Sequence, residues 1–184
     1  MNNKPKLRIV GLCILAAFLL FGGGMTLLDQ GYINLGLSLA LLNSFAVVTI
    51  GFILAPIMTA TGSAYGGTYR TGRIVEGAFL AISIFVAQSG YEFLGLSTDS
   101  FYQIAMIALG LGSLPMCVWL IRTTLIPKWI GALGFVGYLF LILSMIVAAG
   151  GFATVSMALL APGALFEIIF GGLLLFGIKL LSQI

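Results

Sequence analysis

Histidine is absent from this 184-residue chain, and without it haem, di-iron and most zinc sites lose their usual ligand, while Ser-His and Cys-His catalysis lose their base. Only two cysteines occur, Cys13 and Cys117, each inside an apolar run and far from any CxxC spacing. They read as small buried hydrophobes, do not form a zinc-site pattern and say nothing about redox compartment. Charge is equally scarce. Lys, Arg, Asp and Glu make up 7% of the chain, where a soluble domain carries about a quarter. The net charge of +3 is confined to short connections and cannot form a nucleic-acid face, so no nucleic-acid partner is expected. No catalytic, nucleotide or metal motif is complete, and neither a cofactor nor an enzyme is expected.

What is present is apolar: 61% hydrophobic residues and a mean hydropathy of +1.21, more than a soluble core absorbs. At about 20 mostly apolar residues per crossing, six spans fit, near 9–28, 33–57, 72–93, 101–122, 129–149 and 154–178. Lys4, Lys6 and Arg8 before the first run also suit a secretory signal, but that run is longer than the ~7–15 residues of a signal core and reads as a first span. The expected fold is therefore all-α, a polytopic membrane protein of six transmembrane helices in one bundle and one domain over residues 1–184.

The charges set an orientation. Lys4, Lys6, Arg8, Arg70, Arg73, Arg122, Lys128 and Lys179 all fall on one side of the alternating runs, whereas Asp29, Glu92 and Asp99 mark the other. Cytoplasmic connections carry the Lys/Arg excess, which places both termini in the cytoplasm of a cell-membrane protein. Trp119 and Trp129 flank one basic connection, and Tyr32, Tyr91 and Tyr102 are expected as the aromatic belt of the opposite interface. The longest connection, residues 59–71, is rich in Gly, Ser, Thr and Tyr and reads as a linker at the basic surface.

Three stretches carry a resemblance. Arg73 with Glu76-Gly77, then Leu125-Ile126-Pro127-Lys128-Trp129-Ile130-Gly131 followed by Gly134 and Gly137-Tyr138, and finally Pro162 with Glu167 resemble a bacterial multi-pass membrane family known as domain of unknown function 4386. The resemblance covers about the last two thirds of the chain and is strongest from Arg122 onward. It implies a six-helix membrane bundle and supplies no reaction.

Glu167 is the residue that most needs an explanation. It lies about twelve residues before Lys179, which at 1.5 Å per residue is ~18 Å into a ~30 Å apolar core. An ionised carboxylate facing lipid there would cost several kcal/mol, so Glu167 is expected to face the bundle interior and to carry a proton. Gly163, Ala164 and Gly171 at −4, −3 and +4 form a small-residue stripe on which another helix packs closely. Pro162 and Pro115 leave the carbonyls of Ala158 and Leu111 without helical donors. Asn43, Ser83, Ser113, Tyr138 and Ser144 reach similar depth and are expected to line a cavity with Glu167.

Arg70, Arg73, Glu76 and Lys128 are expected at a cytoplasmic rim, with Arg73 and Glu76 paired at i, i+3 and Arg73 snorkelling to the interface. A distinct reading has Glu76 and Glu167 serve one inward route for a proton or cation, which needs intervening groups or water because their expected depths differ by more than a helical turn. Gly131, Gly134 and Gly137 in the fifth run read as contacts within the bundle rather than as a dimer seam, although an oligomer stays open.

Three functions compete. In the first, helices 2 to 6 surround a mostly apolar cavity in which Glu167, Asn43 and Tyr138 orient a small or lipophilic ligand that is bound or transported. In the second, the protein is a structural or regulatory subunit that packs against a membrane-protein partner within the lipid bilayer. The third, an intramembrane enzyme acting on lipid with Glu167 as acid or base, lacks a nucleophile and a metal set. The first is preferred, because a midplane carboxylate between two proline-interrupted helices is more than packing requires.

Overall fold

Six long apolar helices follow one another in a computed structural model that describes residues 3–89, 93–123 and 126–176. They are α1 (Lys4–Asp29), α2 (Ile33–Ala60), α3 (Gly66–Ser89), α4 (Thr98–Arg122), α5 (Lys128–Ala149) and α6 (Ala153–Phe176). Each is long and apolar enough to cross a membrane, and the protein is an integral, multi-pass membrane protein whose helices contact the bilayer. Helices suit that solvent because every backbone donor and acceptor is satisfied within the segment. No strand interrupts them among the described residues. Tyr91, Glu92, Leu125 and Lys179, with residues 90–92 of the third expected span and 177–178 of the sixth, lie outside the described residues.

Tight turns join α1 to α2 and α5 to α6. At the α1–α2 turn Gly31 adopts φ 83°, while Tyr32 N–H donates to the Leu27 carbonyl and Gly31 N–H to that of Leu28. Gly151, at φ 86°, repeats the pattern between α5 and α6, with Phe152 N–H on Val147 and Gly151 N–H on Ala148. Both are Schellman caps, which need a left-handed residue after the last turn and so favour glycine. At the start of α4, the Ser97 hydroxyl accepts the Ser100 N–H, with Asp99 in the first turn and Arg122 in the last, each complementing the helix dipole.

Each helix packs along its neighbours in sequence, and α1 meets α6, so the six close into a ring. Glycines set the spacing. A Cβ on Gly137 of α5 would come within 2.7 Å of the Gly163 Cα in α6, and one on Gly72 of α3 within 2.8 Å of the Gly112 Cα in α4. A Cβ on Gly11 of α1 would lie 2.6 Å from the Gly171 carbonyl oxygen of α6. Small residues at these seams let helix backbones touch, where van der Waals packing replaces the hydrophobic drive that lipid abolishes. Large side chains including Tyr69, Met116, Tyr138, Phe166 and Phe170 fill the ring's interior.

The third helix departs from expectation. It starts at Gly66 rather than near residue 72, which shortens the expected linker to residues 61–65 and draws Tyr69 and Arg73 into the bundle.

Candidate functional site

Two adjoining cavities meet at Glu167. The first, about 240 Å³, is lined by Phe18 and Phe21 of α1, Asn43 of α2, Glu76 of α3, Tyr102 of α4 and Glu167 of α6, among others. The second, about 190 Å³, runs between α4, α5 and α6 and is lined by Tyr138, Leu141, Leu160, Gly163, Ala164 and Glu167 with Phe18 and Tyr102. Phe18, Tyr102, Met106, Leu109 and Glu167 border both. The walls are thus mostly aliphatic and aromatic, with a few convergent polar groups, the usual make-up of a small-molecule pocket.

Their position follows from the helix seams. α1 and α6 touch where Gly11 meets Gly171, nearer the end of the bundle that carries the basic residues. Further along both helices toward the other end, Phe18 and Glu167 border the cavities instead. Glu167 sits between two contact points of α6, Gly163 against α5 and Gly171 against α1. The small-residue stripe around Glu167 therefore packs two different helices.

The Tyr138 hydroxyl donates to Glu167 Oε1 at 2.9 Å. Tyr138 itself is fully buried, edge-on to Phe166 at 5.7 Å between ring centroids, and Phe166 stacks on Phe170 at 5.4 Å. These rings hold the phenol in place, so the carboxylate is positioned by a rigid donor. Glu167 is half-buried, because the cavities leave its remaining surface open.

A second polar group occupies α3. Arg73 Nη1 donates to Glu76 Oε2 at 3.1 Å, and Arg73 Nε donates to the Tyr69 hydroxyl at 3.1 Å. Arg73 is 4% exposed and Glu76 2%, which corrects their expected place at the rim. The i, i+3 pairing is as expected, but it is a buried pair and Arg73 does not snorkel. Its stem is enclosed by α2, since a Cβ on Gly51 would come within 2.7 Å of the Arg73 Cβ. Glu76 also lines the first cavity with Glu167, so the expected separation in depth does not keep the two carboxylates from one chamber. Arg70 and Lys128 are exposed, Arg70 with its guanidinium 5.8 Å from the Phe52 ring centre.

The five polar residues expected beside Glu167 divide. Asn43 and Tyr138 line cavities with it. The other three do not border either cavity. Ser83 donates back to the Leu80 carbonyl at 2.8 Å on its own helix. Ser144 lies 2.9 Å from the Ser156 hydroxyl and donates to the Ser156 carbonyl, clamping α5 to α6. Ser113 is buried with no hydrogen-bond partner for its hydroxyl. Conversely, α1 supplies part of the wall that helices 2 to 6 were expected to supply alone. Tyr102, expected in an interfacial belt, stacks on Phe21 at 5.3 Å inside the bundle. Nothing in the sequence marks Tyr102 as interior. Tyr69 was readable, because it stands one turn before Arg73 on the same face as Glu76.

Among the described residues no group of three His, Cys, Asp or Glu side chains could hold a metal ion. A family model described as Domain of unknown function (DUF4386) matches residues 27–177. No curated protein and no solved structure matches the chain.

Proposed function

We propose, for a chain that belongs to the DUF4386 family, that the bundle binds a small lipophilic solute in the paired cavities around Glu167. The family description assigns no reaction, so the reading comes from the site. One observation carries it: two apolar cavities share a single carboxylate, and that carboxylate is held by a buried phenol instead of being matched by a basic side chain. A residue kept only to fix packing would be enclosed by its neighbours. Each cavity lies below the roughly 300–1,000 Å³ of drug-sized sites, so the occupant is small or extends through both. In this reading the protein lies in the cell membrane with both termini cytoplasmic, and passage of the solute across the membrane would use the same chamber.

The test is ligand-dependent stability in nanodiscs. A solute that occupies the native chamber at 100 times its Kd should stabilise the fold by ~2.7 kcal/mol and raise the melting temperature. Substituting Ala164→Phe, which fills the second cavity from its wall, should abolish that rise while the protein stays folded. If neither neutral nor charged small aromatic solutes shift the melting of the wild type, the binding reading fails.

A further inference from the structure

The walls also constrain the charge of the occupant. Neither cavity is lined by a lysine or an arginine. Arg73, the cation nearest in sequence to a lining carboxylate, is committed to Glu76 at 3.1 Å and to Tyr69 at 3.1 Å. Glu76 is thereby neutralised, and among the described residues Glu167 has no ion-pair partner. The Tyr138 hydroxyl donates to Oε1 of Glu167 and leaves Oε2 available.

Asn43 supplies the independent observation. It is 3% exposed, it lines the same chamber as Glu167, and its Oδ1 has no hydrogen-bond partner. A buried carbonyl without a donor typically costs about 1–3 kcal/mol, so an occupant's N–H that meets it on a small rotation of the amide is favoured. The chamber thus presents a carboxylate and an amide, with no cationic side chain opposite them. Aromatic rings complete the wall, with Phe18 at its edge and the stacked Phe21–Tyr102 pair within it. Ring faces attract cations most strongly where water is excluded.

We infer that the occupant is a small lipophilic organic cation, a protonated amine whose N–H groups bond Glu167 and Asn43 while its apolar body lies against Phe18, Tyr102 and Met106. This inference rests on the binding reading above and adds the ligand's charge and donor pattern. An anion would meet Glu167 with no compensating base. A neutral hydrocarbon would fill the volume and leave the Asn43 oxygen unpaired.

Three probes of one shape and different charge decide the matter: phenethylamine, propylbenzene and 3-phenylpropionate, each titrated at pH 7 into the full chain in nanodiscs, with protein-free nanodiscs subtracted. Phenethylamine should bind at least tenfold more tightly than propylbenzene, and 3-phenylpropionate should show no saturable binding. Glu167→Gln should bring phenethylamine to within threefold of propylbenzene. Asn43→Leu should weaken phenethylamine and leave propylbenzene unchanged, and it provides the comparison should Glu167→Gln fail to fold. Equal binding of the amine and the hydrocarbon by the wild type, or an unchanged amine preference in the variants, overturns the inference while leaving the binding reading intact. Failure of all three probes to bind defeats both.

Discussion

Arg73 and Glu76 sit where neither water nor lipid headgroups reach them, and at that depth each charge depends on the other. Removing one partner of a buried pair strands the other, which typically costs about 3–5 kcal/mol, whereas replacing both with apolar side chains of similar volume is often neutral. Arg73→Met should therefore destabilise the protein strongly in denaturant titrations in mild detergent, and Arg73→Met combined with Glu76→Met should recover most of the loss. A double variant no more stable than the single would show that the pair is not the source of the penalty. The pairing itself was readable from the i, i+3 spacing, but its depth was not. Gly66 and Gly67 look like linker residues because glycine is a poor helix former. Gly66 nonetheless starts the helix, buried where a Cβ would come within 2.6 Å of the Ala55 carbonyl oxygen of α2. That tertiary contact extends α3 by nearly two turns and carries Arg73 inward with it. At the Glu167 site the corresponding experiment is Tyr138→Phe, which deletes one interhelical hydrogen bond and should cost about 0.6–1.7 kcal/mol in the same titration. A loss well beyond that range would mean the phenol does more than donate to Glu167.

Between helices, glycine positions separate into those that touch and those that do not. A methyl at Gly137 would meet the Gly163 Cα at 2.7 Å, a backbone atom that cannot move aside without separating α5 from α6. A methyl at Gly163 meets the Gly137 carbonyl oxygen at 3.3 Å, which a shift of a few tenths of an ångström relieves. At Gly23 and Gly172 nothing lies within 4 Å. Gly137→Ala should thus lower the melting temperature clearly, Gly163→Ala less, and Gly23→Ala or Gly172→Ala should be neutral or stabilising, since alanine favours a helix by up to ~1 kcal/mol over glycine. Equal effects at all four positions would rule out the glycine seam as the determinant of spacing. Hydropathy revealed the six spans because a crossing needs only length and apolarity. It could not reveal neighbours, because lipid and helix interior are about equally apolar and leave no amphipathic stripe. That is why Tyr102 reads like an interfacial residue and proves to be part of a cavity wall, and why Ser83 and Ser144 read like cavity residues and prove to bond locally or to an adjacent helix.

Across the whole molecule, the ring is polarised by charge and by where it opens. The exposed cations Arg70, Arg122 and Lys128 stand at the end where the α2–α3 and α4–α5 connections lie, and Asp29 and Asp99 stand at the other. The tight Gly11–Gly171 contact lies toward the basic end, and the chambers lie toward the acidic end beyond it. If the Lys/Arg excess faces the cytoplasm, the route from Glu167 toward the acidic end leads to the outer half of the bilayer. Topology can be read directly with single cysteines placed in the turns of a chain carrying Cys13→Ala and Cys117→Ala, and a membrane-impermeant maleimide added to intact cells. Gly31→Cys and Gly151→Cys should label from outside, although the positive φ at both positions will lower the yield of each variant. Ser63→Cys, in the α2–α3 turn, should label only after the cells are opened. The reverse pattern would invert the bundle, place the chambers in the inner leaflet and require any solute to reach Glu167 from the cytoplasmic side.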